Sequence, residues 1–134
     1  MIRGLIITFR VLFFVYLAGV LALCFGNFGN LPSAPHTLLG LPTDKVVHFF
    51  MFLPFPFLAF LAFDRYTETP GKSFLFTLGT FIMGFLLALG TELGQAWLTD
   101  YRSGDPWDLA ADMLAILTGC LIVLFLDVRK QKKA

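Results

Sequence analysis

A chain of 134 residues in which 57% are hydrophobic, 17 are phenylalanine and only 14% are charged carries more apolar surface than one soluble core of that length can hide. Its formal net charge of +1 lacks the domain-wide excess of Lys and Arg that would make nucleic acid a partner. Lipid bilayer is the solvent this composition fits, so the position of the few charges becomes the informative quantity.

A membrane span needs about 20 mostly apolar residues to cross about 30 Å of hydrocarbon. The first such run, residues 5–25, is apolar apart from Arg10. Basic residues ahead of it also fit a cleaved signal or a lipoprotein anchor, but a lipobox needs a small residue before its cysteine and here Leu23 precedes Cys24. A loop with three prolines and three glycines follows from Gly26 to Pro42; His36 lies in it and is expected to be solvated. The second helix, residues 44–63, opens after Pro42 with Thr43 or Asp44 placed to cap it. Pro54 and Pro56 should kink it and free backbone carbonyls beneath His48.

A turn at Thr67 to Gly71 leads into the third helix, residues 73–98. Gly71-Lys72-Ser73 mimics the end of a P-loop, but Tyr66 stands where the motif's first glycine belongs. After a loop from Asp100 to Pro106, the fourth helix covers residues 106–128; it reaches spanning length only if Asp112 lies inside it. There Asp105, Pro106 and Asp108 read as an N-cap, a proline at the first helical position and a carboxylate at the third. Cys24 and Cys120 are separated by about 21 Å of helix depth and make a poor disulfide pair. The fold class is all-α: a polytopic membrane bundle of four transmembrane helices forming one domain, residues 1–134.

Lys and Arg are retained in short cytoplasmic loops. With the N-terminus inside, that side holds Arg3, Arg10, Arg65, Lys72, Arg129, Lys130, Lys132 and Lys133, and the outside holds only Lys45 and Arg102. Eight against two argues for N-in/C-in in the cell (inner, cytoplasmic) membrane. Trp97, Tyr101 and Trp107 then fall near the outer head-group layer, where aromatic rings of this kind are favoured.

On this topology Asp44, Lys45, His48, Glu92, Gln95, Arg102, Asp105, Asp108 and Asp112 all arrive at the outer interface, although they come from three separate stretches of chain. Helical spacing groups them further. Asp44 and His48 are four apart; Gly84, Ala88, Glu92 and Gln95 form one stripe; Asp108, Ala111, Asp112, Ala115 and Gly119 form another. Small residues let membrane helices approach closely, which turns these carboxylates between helices and away from lipid. Gly90 and Gly94 make a further small-residue pair that faces either the first span or another protomer of a homo-oligomer.

Three strings carry a family resemblance: Asp44-Lys45-Val46-Val47-His48, Glu92-Leu93-Gly94-Gln95, and Arg102-Ser103-Gly104-Asp105-Pro106-Trp107-Asp108 running on to Asp112 and Gly119. In register from residue 44 to 119 they resemble the VanZ-like membrane proteins, whose pattern is D-K-x-x-H, E-x-x-Q and R-x-x-D-x-x-D-x-x-x-N. Asp112 departs from that pattern where asparagine is usual, and Ala115 where glycine is common. The first departure puts an extra acid in the site. The family takes its name from a protein associated with resistance to the glycopeptide teicoplanin, so the resemblance implies a cell-envelope role involving lipids or lipid-linked wall precursors and supplies no reaction.

Five acids (Asp44, Glu92, Asp105, Asp108 and Asp112) face Lys45, Arg102 and His48, and the surplus negative charge needs a protonated carboxyl, a divalent cation or a cationic ligand to balance it. The sequence requires no cofactor. One reading is a binder of a lipid head group or lipid-linked precursor at the outer leaflet, through Asp44, Lys45, His48, Glu92, Gln95, Arg102, Asp108 and Asp112. A second is an enzyme acting on a head-group phosphate, with His48, Glu92 and Asp108 as candidate acid, base or orienting groups and Arg102 holding phosphate. Glu92, Asp108 and Asp112 are the candidate metal ligands; a zinc site of the usual kind is disfavoured by the single histidine and the lack of a nearby cysteine. Ser103 and Thr99 leave a hydroxyl nucleophile open. A third reading is an ion network that holds helices in register and does nothing more. Transport is disfavoured, because no charged stripe runs the full depth of four short helices.

Overall fold

The computed structural model describes residues 3–26, 37–38, 40–63, 69–100 and 104–133. It contains α1 (Arg3–Phe25), a two-residue antiparallel pairing of β1 (Thr37–Leu38) with β2 (Leu41–Pro42), then α2 (Thr43–Phe52), α3 (Pro54–Phe63), α4 (Pro70–Leu98) and α5 (Pro106–Lys133). Four helical segments are long and apolar enough to cross a membrane, with α2 and α3 together forming the second. The chain is a multi-pass membrane protein of four transmembrane helices. Large apolar side chains such as Ile7, Leu75 and Phe125 lie more than 60% exposed on the outer faces of the helices. That suits lipid as the surrounding medium and would be a severe liability in water.

Each element follows from local chemistry. The expected kink in the second span is a break at Leu53, because Pro54 and Pro56 have no N–H to give and so end the α2 ladder. The last bond of α2 runs from the Leu53 amide to the Phe49 carbonyl, at 3.0 Å. Among the carbonyls near the break, that of Met51 accepts from the Tyr16 hydroxyl of α1 at 2.6 Å. The α4 helix starts three residues earlier than its apolar run because Thr69 caps it, accepting from the Lys72 amide at 3.2 Å, with Pro70 at the first position. At the start of α2 neither Thr43 nor Asp44 takes the expected cap position; it falls to Pro42, with no side-chain cap. Asp44 is drawn instead to Lys45. The short β-pairing was not anticipated; it turns at Gly40, whose φ of +78° lies in the left-handed region that glycine adopts without strain.

The helices alternate in direction, so the ends of α1 and α4 meet the starts of α2 and α5 at one end of the bundle. Gln95 of α4 donates to the Cys24 carbonyl of α1 at 2.8 Å at this end. At the opposite end Arg10 of α1 donates to the Ala62 carbonyl of α3 at 3.1 Å, with its guanidinium 5.3 Å from the centre of the Phe63 ring. There too the Ser73 hydroxyl of α4 donates to the buried Asp127 carboxylate of α5, and Gln131 reaches both, at 2.7 Å and 3.2 Å. The core between the ends consists of Val20, Cys24, Phe52, Ala88, Ala115, Ile116 and Cys120. Gly94 of the Gly90/Gly94 pair packs on Phe25 of α1.

Helix α5 approaches the broken second span closely at Gly119. A Cβ built on Gly119 would lie 2.8 Å from Pro56 Cγ and 3.3 Å from the Leu53 carbonyl oxygen, both parts of stiff structure. Gly119→Ala should therefore lower stability in detergent by about 1–3 kcal/mol, the usual range for overpacking. Gly79→Ala, where nothing lies within 4 Å, should leave the unfolding midpoint unchanged or slightly raised. Equal midpoints for the two variants would contradict this packing.

Candidate functional site

The end of the bundle where α1 and α4 finish holds a polar cluster built from three elements. Lys45 and His48 come from the first turns of α2, Glu92 from the last turns of α4, and Asp105, Asp108 and Asp112 from the cap and first turns of α5. Residues 45 and 48, like 105, 108 and 112, are three or four apart, so each group shares a helix face. Small neighbours set the depth: Ala88 and Ala115, one turn below Glu92 and Asp112, are both fully buried. Their size lets α4 and α5 close around the cluster.

Two centres can be distinguished. In the outer one the Lys45 ammonium lies 2.5 Å from Asp44 Oδ2, 2.5 Å from Asp105 Oδ2 and 2.6 Å from Asp108 Oδ1. One cation thus serves three carboxylates, the first of which is largely exposed. Asp105 is also the expected N-cap of α5, accepting from the Trp107 amide at 2.9 Å. The Lys45 ammonium and this cap hold the Asp105 carboxyl below the usual carboxylate range.

The inner centre surrounds His48, which is 7% exposed. Its Nδ1 lies 2.9 Å from Asp112 Oδ1 and 3.7 Å from Glu92 Oε1, and its Nε2 lies 3.5 Å from Asp108 Oδ2. With Asp112 ionised, a carboxylate that only accepts, Nδ1 would carry the proton and donate to Asp112, leaving Nε2 turned toward Asp108. Glu92 Oε2 accepts from the Asp105 amide at 3.1 Å and so ties the end of α4 to the start of α5. Glu92 Oε1 and Asp112 Oδ2 are buried and make no hydrogen bond among the described residues. One nitrogen or oxygen each from His48, Glu92 and Asp108 lie within 4.8 Å of one another; Asp44, Asp105 and Asp108 form a second such set, the one Lys45 fills.

The structure therefore brings Lys45, His48, Glu92, Asp108 and Asp112 together, with Asp44 at the rim and Asp105 joining through Lys45. Gln95 is buried on the same α4 stripe but turns to α1 and braces Cys24. Thr99 donates to the Gln95 carbonyl at 2.7 Å. Arg102, Ser103, Tyr101 and His36 lie outside the described residues. Trp97 and Trp107 stand at this end of the bundle, 77% and 73% exposed, as expected for rings at a head-group layer. A buried polar group that sequence reasoning passed over is the Ser73–Asp127–Gln131 cluster at the other end; the (i, i+4) pair of Asp127 and Gln131 was its one legible trace.

A family model described as VanZ/LLP1 matches residues 24–127, which contain every member of the cluster. The chain is also 29% identical over 114 residues to an uncharacterized protein of Schizosaccharomyces pombe, an alignment covering 85% of this chain and 62% of that protein's length. No solved structure matches. The chain belongs to the VanZ/LLP1 family.

Asp105 offers a test of the outer centre. Its folded-state pKa is lowered, so its ion pair stabilises the fold above the unfolded value of about 3.9 and that contribution fades as pH falls through the lower folded value. The difference in unfolding midpoint between wild type and Asp105→Asn, which keeps the cap, should be largest near neutrality and shrink below about pH 4. A difference that stays constant from pH 7 to pH 3 would contradict the Lys45 pairing.

Proposed function

From its place in the VanZ/LLP1 family, we propose that this chain is a cell-envelope protein whose polar pocket binds the head group of a lipid or lipid-linked wall precursor, and that through such binding it contributes to glycopeptide resistance of the teicoplanin type. The observation that carries this reading is the surplus of buried carboxylate around one histidine and one lysine at a Trp-flanked end of the bundle. Charges at membrane depth are rare unless paired or functional, and two carboxylate oxygens here have no hydrogen bond among the described residues. A head group brings what such a site lacks, a positive moiety for the acids, while Arg102 takes its phosphate in a planar fork. An apolar groove between α1 and α2, lined by Tyr16, Gly19, Val20, Val47 and Phe50, suits an acyl chain. The Lys and Arg bias supports a topology with both termini in the cytoplasm and the pocket at the outer leaflet of the inner membrane.

A second reading is favoured by the Asp112–His48 pair, which fixes one ring nitrogen and aims the other into the cluster. That is the arrangement of a general base, and it fits hydrolysis or transfer of a head-group phosphate.

Both readings meet in one experiment. Purified protein in nanodiscs should bind short-chain phosphatidylethanolamine saturably at one site, and phosphatidylglycerol, whose head group brings no positive moiety, more weakly. Arg102→Ala should weaken binding tenfold or more without moving the unfolding midpoint. Phosphorus NMR of the same samples separates the readings, since turnover lost in His48→Gln belongs to the enzyme and an unchanged lipid to the binder. Equal lipid binding by wild type and Arg102→Ala would contradict both.

A further inference from the structure

The two centres of the cluster differ in how their acids are served. Asp44, Asp105 and Asp108 Oδ1 already hold a cation, the Lys45 ammonium, at 2.5–2.6 Å. One turn deeper there is no lysine or arginine among the described residues, yet Glu92, Asp108 and Asp112 converge on His48. Glu92 is 6% exposed, and among the described residues its Oε1 makes no hydrogen bond; it stands 3.7 Å from His48 Nδ1, beyond hydrogen-bond reach.

We propose that His48, Glu92 and Asp108 are the protein ligands of one divalent transition-metal ion of the Mn²⁺ kind, with Asp112 as the residue that positions His48. Three helices contribute one donor each, and the donors lie within 4.8 Å of one another, close enough for small side-chain rotations to bring them onto one ion. Asp112 engages Nδ1 at 2.9 Å and Asp108 Oδ2 lies 3.5 Å from Nε2, so Nε2 is the ring nitrogen left to coordinate, and Glu92, now 3.7 Å from Nδ1, would turn to meet the ion on the Nε2 side. A histidine held through its other nitrogen by a carboxylate is the usual support of a metal-bound imidazole. Lys45 does the same for Asp108, holding Oδ1 and leaving Oδ2 on the His48 side. One imidazole with two carboxylates is a mixed donor set, better matched to Mn²⁺ than to the all-oxygen shells preferred by Ca²⁺ and Mg²⁺. Three protein ligands leave open positions on the ion. With the head-group reading, which this last step rests on, those positions face a lipid phosphate that the acids alone would repel.

The test uses the full chain in detergent, stripped with a chelator and titrated with Mn²⁺ while free Mn²⁺ is followed by electron paramagnetic resonance. One Mn²⁺ per chain is expected. Glu92→Gln and Asp108→Asn should each weaken binding tenfold or more, whereas Asp127→Asn, at the far end of the bundle, should not. Pulsed measurements on wild type should show coupling to one imidazole nitrogen, absent in His48→Gln and kept in Asp112→Asn at weaker affinity. The wild-type coupling keeps the test decisive if a variant fails to fold. No saturable Mn²⁺ binding, no nitrogen coupling, or full affinity in a folded Glu92→Gln protein would overturn the site. Lipid titrations with and without Mn²⁺ separate the two proposals: Mn²⁺ bound without lipid affinity removes the head-group reading alone, and lipid affinity unaffected by Mn²⁺ in a protein that does not bind the ion removes the metal site alone.

Discussion

Three carboxylates crowd one imidazole at the end of an apolar bundle, and the surrounding structure is arranged to make that tolerable. Taking a carboxylate out of water costs several kcal/mol even after relaxation, so each one needs a donor or a positive charge close by. A polar contact between membrane helices returns only about 0.6 kcal/mol on average, because the separated helices also find partners. Asp112 gains the His48 bond and Glu92 gains the Asp105 amide, but each keeps one buried oxygen with no hydrogen bond among the described residues. On these magnitudes the contacts of the inner centre do not by themselves offset the burial of its acids, which is the deficit that the proposed ligand would make good. The outer centre, where Lys45 meets three acids and water reaches Asp44, has no such deficit.

Much of the fold can be understood as support for that arrangement. The proline break between α2 and α3 lets Pro56 settle against Gly119, which holds the second span close to α5 below His48. Buried Ala88 and Ala115 bring α4 and α5 together under the acids, and Gln95 fastens α4 to α1 beside them. At the far end the Ser73–Asp127 contact clamps the same two helices again. Helices α4 and α5 are thus pinned at both ends, and rotation of either about its axis, which would swing Glu92 or Asp112 toward lipid, is opposed. Such pinning is what a preorganised site needs from the elements that carry it.

The four spans were legible because run length against bilayer thickness is a one-dimensional property, and the convergence of residues 44–48, 92–95 and 105–112 followed from alternation of direction alone. The Asp105 cap and the small-residue stripes were legible for the same reason, being matters of spacing within one helix. Features that depend on two helices at once were not. Ser73 and Asp127 look in sequence like ordinary polar residues near span ends; only the register between α4 and α5 makes them a pair. Arg10 looks like a misplaced charge until the end of α3 supplies the Ala62 carbonyl and the Phe63 ring. The cap of α2 was misjudged because Lys45 competes for Asp44 more effectively than the helix end does. Within the site, the acids were named from sequence, but their division into a lysine-filled outer centre and a histidine-centred inner one rests on distances that no spacing rule contains.

The most direct measurement is the unfolding midpoint of Glu92→Gln against wild type, both in chelator and without added lipid. The substitution keeps the shape and the oxygen that accepts from the Asp105 amide, and replaces the unbonded carboxylate oxygen with a donor facing acids. If the inner centre is held at energetic cost for a ligand, the variant is as stable as wild type or more so. A clear loss of stability would instead make the cluster an ion network whose purpose is the fold itself.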